Sequence, residues 1–387
     1  MSKGAYLGVD GIARKVRKIY VGVDGVARKV KKGYIGVNGI AHKFFGGELR
    51  YDGTTSLSVS RYDVNGVSNG AYAIFAGGRN PRQGSAYNGT IDAFSPTLTR
   101  TSNSVQRMAR INAGTASVGR YALVAGGIGY DGSSTGYKYY VDAFDESLTI
   151  TNATNLASKR SYLAGASVGG YALFVGGASS TSNTATYYST VEAYSESLAK
   201  STPSALPNKA DGMSGTTIGN YALFTGGYYS SPVTYHKMAV AYNASLTRST
   251  ATSLTTGRSF HASGTIGERA VYAGGRGTSG YLNTVETYDA SLTKGTATSL
   301  SVSRRHLACA AIGEWLIFAG GENASSTYTN TVDVYDTSLT KIEISNLSEA
   351  RKSPAAAVVG NYALFGGGLT EYSGYTTTDA VDIYTEG

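Results

Sequence analysis

Cysteine, proline, tryptophan and histidine are scarce in this chain of 387 residues, which contains one, six, one and four of them. The single cysteine, Cys309, excludes an intrachain disulfide and any metal site built from several thiolates. It lies in the apolar run LACAAIG (307–313), so we expect a buried and unreactive thiol. No HExxH motif, phosphate loop or nucleophile elbow is present, which removes the usual motif-based grounds for assigning an enzyme.

Long apolar runs are also missing. No stretch of 18 apolar residues occurs, and the N-terminal MSKGAYLGVDG has no apolar core, so we expect neither a membrane span nor a secretory signal peptide. The formal net charge of +8 comes from residues 1–45, which hold ten Lys/Arg and two Asp. The remaining 24 Lys/Arg and 24 Asp/Glu cancel. The charge pattern therefore separates a basic N-terminal arm from a neutral body, in a protein that we expect to be made in a cytoplasm.

The neutral body is repetitive. Seven apolar segments ending in Gly-Gly recur 46 to 50 residues apart, with pairs that begin at Gly77, Gly126, Gly176, Gly226, Gly274, Gly320 and Gly367. A small apolar segment such as AGTASV (113–118) precedes each pair, and an aromatic segment such as VDAF (141–144) follows. Six units add a segment such as SLTRSTATSL (245–254). Short β-branched runs between turn residues predict strands, and four strands per unit are typical of a propeller blade.

The seventh unit stops after its third predicted strand, VDIY (381–384), and the missing fourth strand aligns with residues 48–61. We therefore predict an all-β fold, with a seven-bladed β-propeller in residues 46–387 in which residues 48–57 complete the last blade. Such closure joins the first and last blades and removes the open sheet edges. Residues 1–45 are predicted to form a separate β-hairpin arm.

The unit resembles the kelch family, whose signature is a Gly-Gly doublet ending the second strand, followed by a spaced Tyr and Trp. All seven doublets match, over about residues 46–387, but the Trp is missing. Leucines occupy that region, and we assign them to the fourth strand: Leu148, Leu198, Leu246, Leu292 and Leu339. The resemblance implies a kelch-like propeller, without the actin or ubiquitin-ligase partners of other members.

Kelch-like propellers include enzymes and binding platforms, so the fold leaves the function open. The copper oxidases among them need a Tyr crosslinked to Cys and paired His ligands, and sialidases carry Asp-box repeats; this chain resembles neither. His261 and His306 occupy similar places in neighbouring units, which favours a role in the repeat; the other two histidines are His42 and His236. We expect no catalytic residue, metal or cofactor. A glycan-degrading enzyme remains an alternative, which an acid pair or histidine cluster in the central channel would favour.

Two charges recur with the repeat. Sixteen residues before the Gly-Gly pair, six units carry an arginine: Arg61, Arg110, Arg160, Arg258, Arg304 and Arg351. The same six units carry an acid in the third predicted strand: Asp92, Asp142, Glu192, Glu286, Asp333 and Asp382. Unit four lacks both and has Ala210 and Val240 instead. Their joint absence favours an ion pair within or between blades. The alternative is an arginine ring at the channel mouth that binds an anion or an acidic partner.

The loops between the second and third strands are rich in Tyr, Ser, Gly and Asn, a composition typical of antibody-like binding loops. We expect them to share one face of the propeller with the arginine-bearing turns. Tyrosine rings also stack well on sugars, so a surface glycan is one candidate ligand, while simple solvated connectors are the other interpretation. The candidate binding tyrosines are Tyr87, Tyr130, Tyr137, Tyr187, Tyr229, Tyr235, Tyr281, Tyr328 and Tyr375.

The basic arm contains three 14-residue units, of which IYVGVDGVARKVKK (19–32) is the second. Asp-Gly between alternating residues predicts a hairpin, here with a turn at Asp24-Gly25. Such a hairpin pairs Val23 with Val26 and Tyr20 with Lys29, and places an apolar stripe on one face. Five buried Val/Ile side chains would contribute on the order of 5–10 kcal/mol per unit, which predicts a partner for the stripe. The anchor residues are Ile19, Val21, Val23, Val26, Val30, Ile35, Val37 and Ile40.

The 14-residue units resemble those at the front of virion structural proteins of tailed phages and prophages from Gram-positive gut bacteria. The resemblance covers residues 5–45 and implies an anchor with a displayed module behind it. We therefore predict a non-enzymatic phage virion protein. Its arm binds other virion proteins, its propeller meets a host-surface glycan or protein, and it forms a homo-oligomer in the particle. Nucleic-acid binding is disfavoured because a DNA reader needs no apolar stripe. The alternative is a capsid- or tail-decorating protein without a receptor role.

Overall fold

The second strand of each repeat is predominantly apolar because neighbouring blades cover both of its faces. We number the blades one to seven in chain order, following the seven Gly-Gly repeats. In the computed structural model, Ala122 and Val124 of blade two pack towards blade one, whereas Leu123 and Ala125 pack towards blade three. The structure describes residues 47–82, 87–181, 184–323 and 327–387, together with the backbone of strand residues 6–9, 12–15, 19–23, 26–30, 33–37 and 40–45. Within it, seven four-stranded antiparallel sheets form the predicted blades.

The first, innermost strands are Asn65–Ser68, Gly114–Val118, Ala164–Val168, Ser214–Ile218, Ala262–Ile266, Ala308–Ile312 and Ala355–Val359. The second strands are Ala73–Ala76, Tyr121–Ala125, Tyr171–Val175, Tyr221–Thr225, Arg269–Ala273, Trp315–Ala319 and Tyr362–Gly366. The third strands are Thr90–Phe94, Val141–Phe144, Val191–Ser195, Ala239–Asn243, Val285–Tyr288, Val332–Asp336 and Ala380–Glu386. The outer strands are Arg100–Ser104, Ile150–Ala153, Lys200–Ser201, Arg248–Thr250, Lys294–Ala297, Lys341–Ile342 and Leu49–Ser56.

Further short strands lie in the connections: Arg110–Ile111, Ile128–Tyr130, Thr135–Tyr137, Ala178–Thr181, Thr184–Tyr187, Tyr228–Ser230, Val233–Tyr235, Arg276–Gly277, Gly280–Tyr281, Arg304–Arg305, Glu322–Asn323, Leu369–Glu371 and Thr376–Thr377. A single-turn 3₁₀ helix spans Gln106–Met108. No helix in the described part of the chain is long and apolar enough to cross a membrane.

The aromatic residues of the repeat stack within each blade. In blade three, Phe174 of the second strand meets Tyr194 of the third edge-on, with ring centroids 5.9 Å apart, and five other blades repeat this contact. The Tyr194 hydroxyl donates a 2.8 Å hydrogen bond to the Thr154 carbonyl of the preceding blade. The recurring Phe and Tyr therefore pack each blade and join it to its neighbour.

The Gly-Gly doublets form a second contact between blades. Gly126 and Gly127 have φ values of 69° and 102°, a region that favours glycine. A Cβ on Gly126 would lie 2.5 Å from the Arg160 carbonyl oxygen, which also accepts the Gly127 N–H at 2.8 Å. Every doublet makes the equivalent hydrogen bond to the next blade, and Gly368 donates to Arg61 at 2.9 Å. These hydrogen bonds run right around the ring and explain why the doublet is repeated seven times.

The last blade is completed as predicted. The strand Leu49–Ser56 forms the outer edge of the sheet that contains Ala355–Val359, Tyr362–Gly366 and Ala380–Glu386. Beyond its end, the Leu57 N–H donates to the Asp379 carbonyl at 2.7 Å. A segment from the front of the propeller sequence therefore closes the ring.

The assignment of the recurring leucines to the fourth strand is wrong. They lie in the turn before it, where Leu98, Leu148, Leu198, Leu246, Leu292 and Leu339 all adopt φ values between 59° and 63°. A left-handed conformation costs a leucine about 1–2 kcal/mol. Packing offsets that cost, because each of these side chains is half-buried against one of the apolar clusters between blades.

The chain divides into two compact units, residues 1–50 with 386–387, and residues 51–385. In the first unit three hairpins pair Tyr6–Val9 with Ile12–Lys15, Ile19–Val23 with Val26–Val30, and Gly33–Val37 with Ile40–Phe45. The register is the predicted one, with Val23 opposite Val26 and Tyr20 opposite Lys29. The turn residues Asp24 and Gly25 and the side chains of the anchor stripe lie outside the described residues, so the stripe stays a prediction.

Candidate functional site

One face of the propeller carries the loops between the second and third strands. A short backbone bridge ties each loop to the residue that follows the recurring arginine position, as between Ser161 and Ala178 or between Asp211 and Tyr228. Because the bridge recurs in all seven repeats, the loops and the arginine-bearing turns share this face, as the sequence predicts. We call it the loop face.

The structure corrects the interpretation of the six arginines as a ligand-binding ring. Their side chains are 0% exposed, and each contacts the carboxylate of its own repeat. Five of these contacts measure 2.6–2.8 Å, and the sixth joins Arg351 to Asp382. The arginines instead form the ion pair that the sequence favoured, within each of the six blades: Arg61, Arg110, Arg160, Arg258, Arg304 and Arg351.

Charge and burial act against each other in these pairs. Burial lowers the pKa of Arg258, and the charge of Glu286 opposes that effect. Burial by itself would raise the pKa of Asp92 and Asp333. The charge of the arginine partner and the hydrogen bonds that each carboxylate accepts together outweigh burial and hold both carboxyl pKa values below the usual range. A guanidinium that is fully buried and already paired is not available to an external anion.

Five of the six carboxylates also receive a backbone N–H from the turn that precedes the arginine, and the sixth, Asp142, accepts from Nε of Arg107 at 2.7 Å. In blade five, Thr255 donates to Glu286 at 2.8 Å; Ser58, Ala157, Ser301 and Ser348 donate in the same way. Blade four lacks all three parts of this network: Pro207 stands in place of the N–H donor, Ala210 in place of the arginine and Val240 in place of the acid. Ala210 and Val240 instead lie in an apolar cluster with Met213 and Met238. The network is therefore structural, and blade four replaces it as a set.

Two residues beyond each arginine position, the chain adopts a left-handed conformation in every blade, at Asp63, Asn112, Tyr162, Gly212, Phe260, His306 and Ser353. The backbone N–H of Tyr162 donates to the Asn112 carbonyl at 2.8 Å, and Phe260 donates to Gly212 at the same distance. Gly212, His306 and Ser353 make the corresponding bonds to the preceding blade. Equivalent residues of successive blades can touch in this way only near the axis. We call these seven residues the axial ring.

The axial ring places aromatic side chains at the centre of the loop face. The Tyr162 and Phe260 rings lie 5.5 Å apart across Gly212, and the Phe260 and His306 rings lie 4.8 Å apart. Tyr162 is 37% exposed. Sequence reasoning missed these residues because their side chains differ from blade to blade. The sequence could have revealed them by their constant position, two residues after the arginine site.

The predicted tyrosines differ in accessibility. Tyr375 is 39% exposed, and seven others are half-buried: Tyr87, Tyr130, Tyr137, Tyr229, Tyr235, Tyr281 and Tyr328. Tyr187 does not fit the prediction of an accessible binding residue, since it is only 8% exposed and packs against the rings of Tyr228 and Tyr229. Cations stack on several of the others, as Arg79 does on Tyr87 and Lys352 on Tyr328.

Blades two to four bring tyrosines together around a buried acid. The ring of Tyr187 lies 5.0 Å from that of Tyr229. Asp211 is only 7% exposed, and burial raises the pKa of its carboxyl group to about 7. Its charge contributes to the raised pKa of Tyr137, Tyr162 and Tyr187, which are shifted first of all by burial. We call Asp211 with Tyr137, Tyr162, Tyr187 and Tyr229 the Asp211 cluster.

His261, His306 and Cys309 hold structural positions. His261 bonds through Nε2 to the Thr225 hydroxyl at 2.9 Å, and burial lowers its pKa. His306 lies one position earlier in its repeat, on the axial ring, and burial lowers its pKa to about 3. The two histidines are therefore not equivalent, contrary to the sequence interpretation. Burial raises the pKa of the Cys309 thiol.

No three His, Cys, Asp or Glu side chains converge as a metal site within residues 47–82, 87–181, 184–323 and 327–387. A cavity of about 300 Å³ lies at the opposite edge of the propeller, lined by Arg269, Thr287, Gly295, Thr296, Thr337, Ser338 and Leu339. It contains none of the predicted site residues, so the loop face is the stronger candidate.

No family model and no curated protein matches the chain. Among solved structures, one titled "Structure of YjhT" is similar to it, with a TM-score of 0.55 and 15% sequence identity. The match covers 70% of this chain and 94% of that one. YjhT is a kelch-repeat β-propeller protein, and at this identity the likeness establishes the fold alone. The chain is an all-β, kelch-like propeller closed by an N-terminal strand.

Proposed function

We propose that this chain is a non-enzymatic structural protein of a phage virion, with an arm that anchors it and a propeller that presents its loop face to the host surface. The observation that carries the proposal is the gathering of tyrosines on that single face. Tyrosine offers a large contact area with few rotatable bonds, which suits a recognition surface. The ring of interblade hydrogen bonds beneath supplies a rigid support for the loops.

The arm supports the virion part of the proposal. Its three hairpins have the pairing register from which the apolar stripe was predicted. A two-stranded hairpin is marginal by itself, so three of them are expected to gain stability from a partner. Other virion proteins, including further copies of this chain, are the partners we propose. Deleting residues 1–45 should abolish incorporation into particles, whereas normal incorporation of the truncated chain would contradict the anchor.

Adsorption to bacteria tests the role of the loop face. Fluorescently labelled full-length chain should bind cells of some Gram-positive gut bacteria, and Tyr229→Ser combined with Tyr375→Ser should weaken that binding. The matched control is Tyr121→Ser, because Tyr121 lies at the opposite edge of the propeller, where Arg120 stacks on its ring. Unchanged adsorption of the loop-face variant would leave a decorating protein without a receptor role as the better description.

A further inference from the structure

Asp211 lies at a position that varies from blade to blade, directly after the arginine site. The equivalent residues are Tyr62, Ile111, Ser161, Ser259, Arg305 and Lys352. Asp211 is more than nine-tenths buried, yet its Oδ1 has no hydrogen-bond partner in the part of the chain that the structure describes. The buried acids of the other six blades, by contrast, all contact an arginine. A buried carboxyl oxygen without a partner is costly and calls for an explanation.

The surroundings of Asp211 are aromatic. Its backbone pairs with that of Tyr228, whose ring packs against Tyr187, and the next residue, Gly212, donates to the Tyr162 carbonyl at 3.2 Å. The charge of Asp211 also contributes to the raised pKa of Tyr137. Tyr162 belongs to the axial ring and is well exposed, whereas Tyr229 is half-buried and touches Tyr187. Rings supplied by blades two, three and four thus surround one polar group that has an unused bonding position.

We propose that the Asp211 cluster is a binding site for an uncharged sugar residue of a host-surface glycan, with Asp211 bonding its hydroxyl groups and the exposed tyrosine rings stacking on its apolar face. This proposal rests on the proposed function and assigns its ligand class and its site. A sugar ring presents C–H groups on one face and hydroxyls at its edge. An aromatic surface with a single polar group below it is complementary to that arrangement.

Burial also favours a neutral ligand over a cation. With its pKa raised to about 7, the Asp211 carboxyl is protonated in a substantial fraction of molecules near neutral pH. A protonated carboxyl group both donates and accepts hydrogen bonds, and so does a sugar hydroxyl. An ammonium group only donates, and it would require the carboxyl to ionise in a site where burial opposes ionisation.

The test compares the full-length wild-type chain with Asp211→Leu on cells to which the wild type adsorbs. Leucine resembles aspartate in shape but neither donates nor accepts hydrogen bonds, so adsorption should weaken by about tenfold. The melting temperature of the variant should stay the same or rise, because Oδ1 of the buried Asp211 has no partner among the described residues. The control is Glu371→Gln in the loop of blade seven, where the carboxylate already accepts from Ser373 and Thr376. It should adsorb as the wild type does.

Treatment of the cells identifies the ligand class. Periodate, which cleaves sugar diols, should abolish adsorption, and protease treatment should leave it intact. Adsorption that resists periodate and is lost on proteolysis would overturn the sugar assignment, as would competition by millimolar choline chloride. Wild-type adsorption by Asp211→Leu would overturn the site while leaving the proposed function in place. If the wild type adsorbs to no cells, the proposed function fails and this inference fails with it.

Discussion

Removing one member of a buried ion pair should be far more damaging than removing both. In blade five, Nη2 of Arg258 lies 2.7 Å from a carboxylate oxygen of Glu286, and the two side chains are 0% and 3% exposed. Arg258 also donates to the Gly274 and Thr284 carbonyls, at 3.0 Å each. In Arg258→Ala the Glu286 carboxylate keeps the Thr255 N–H at 2.8 Å but loses its only fully buried cation.

An uncompensated buried charge of this kind costs about 3–5 kcal/mol. Arg258→Ala and Glu286→Val should each lower the free energy of unfolding by that amount. The double variant has the residue types of Ala210 and Val240 in blade four. Its loss of unfolding free energy should therefore be smaller than the sum of the two single losses by at least about 2 kcal/mol. What remains is the cost of the vacated volume.

Guanidinium chloride unfolding, followed by the fluorescence of the single tryptophan, Trp315 in blade six, measures these differences. The control is Arg269→Ala, also in blade five, because Arg269 and Asp289 form an exposed ion pair. The paired atoms lie 3.7 Å apart, and the two side chains are 41% and 32% exposed. This control substitution should cost under about 1 kcal/mol. Strictly additive losses in the double variant would refute the reasoning, because they would mean that the two side chains do not compensate each other's charge.

Four further predictions concern single features. Asp211 should make the protein less stable as pH rises from about 4 to 7, because its carboxyl pKa is raised from 3.8 to about 7 in the folded state. The loss of unfolding free energy reaches up to about 4 kcal/mol, and thermal melts of Asp211→Asn should not show this pH dependence. Leu292→Gly should destabilise no more than Leu292→Ala, since glycine tolerates the φ of 61°; a clearly larger loss in the glycine variant would contradict the strain argument. Replacing Thr225 by Val should cost about 1–3 kcal/mol by leaving the buried His261 Nε2 without its partner, and His261→Leu in the same chain should restore part of that stability in denaturant titrations. Deleting Leu49–Ser56 should expose the edge of the last blade and convert the protein into aggregates on size-exclusion chromatography. Elution of the deletion variant at the position of the wild type would show that closure is dispensable.

The architecture could be predicted because the sequence repeats it. The Gly-Gly doublets need positive φ values, and no other residue type satisfies both the conformation and the close approach at Gly126. The closing strand could be predicted because the seventh repeat lacks a fourth strand and residues 48–61 align with the missing segment. The left-handed leucines, such as Leu148, could not be anticipated in the same way, because side-chain packing overrides the local preference there.

The candidate site was only partly predictable. The co-absence of Arg and acid in blade four correctly favoured pairing, because partners that compensate one another tend to be lost together. Asp211 gave no sequence signal, since its burial and its unpaired oxygen depend on loops contributed by three blades. Tyr187 was misjudged for a related reason, because composition does not distinguish a ring at a loop surface from one packed beneath it.

Ring closure also has a consequence for biosynthesis. Leu49–Ser56 leaves the ribosome early, but its partner strand, Ala380–Glu386, follows only after all the other blades. The closing strand must therefore wait, unpaired, while the intervening blades form in order. The apolar core around Phe365 is the last to be covered, so the nascent chain is most vulnerable to misassembly at this seam, and slow translation near the seventh blade would prolong that exposure.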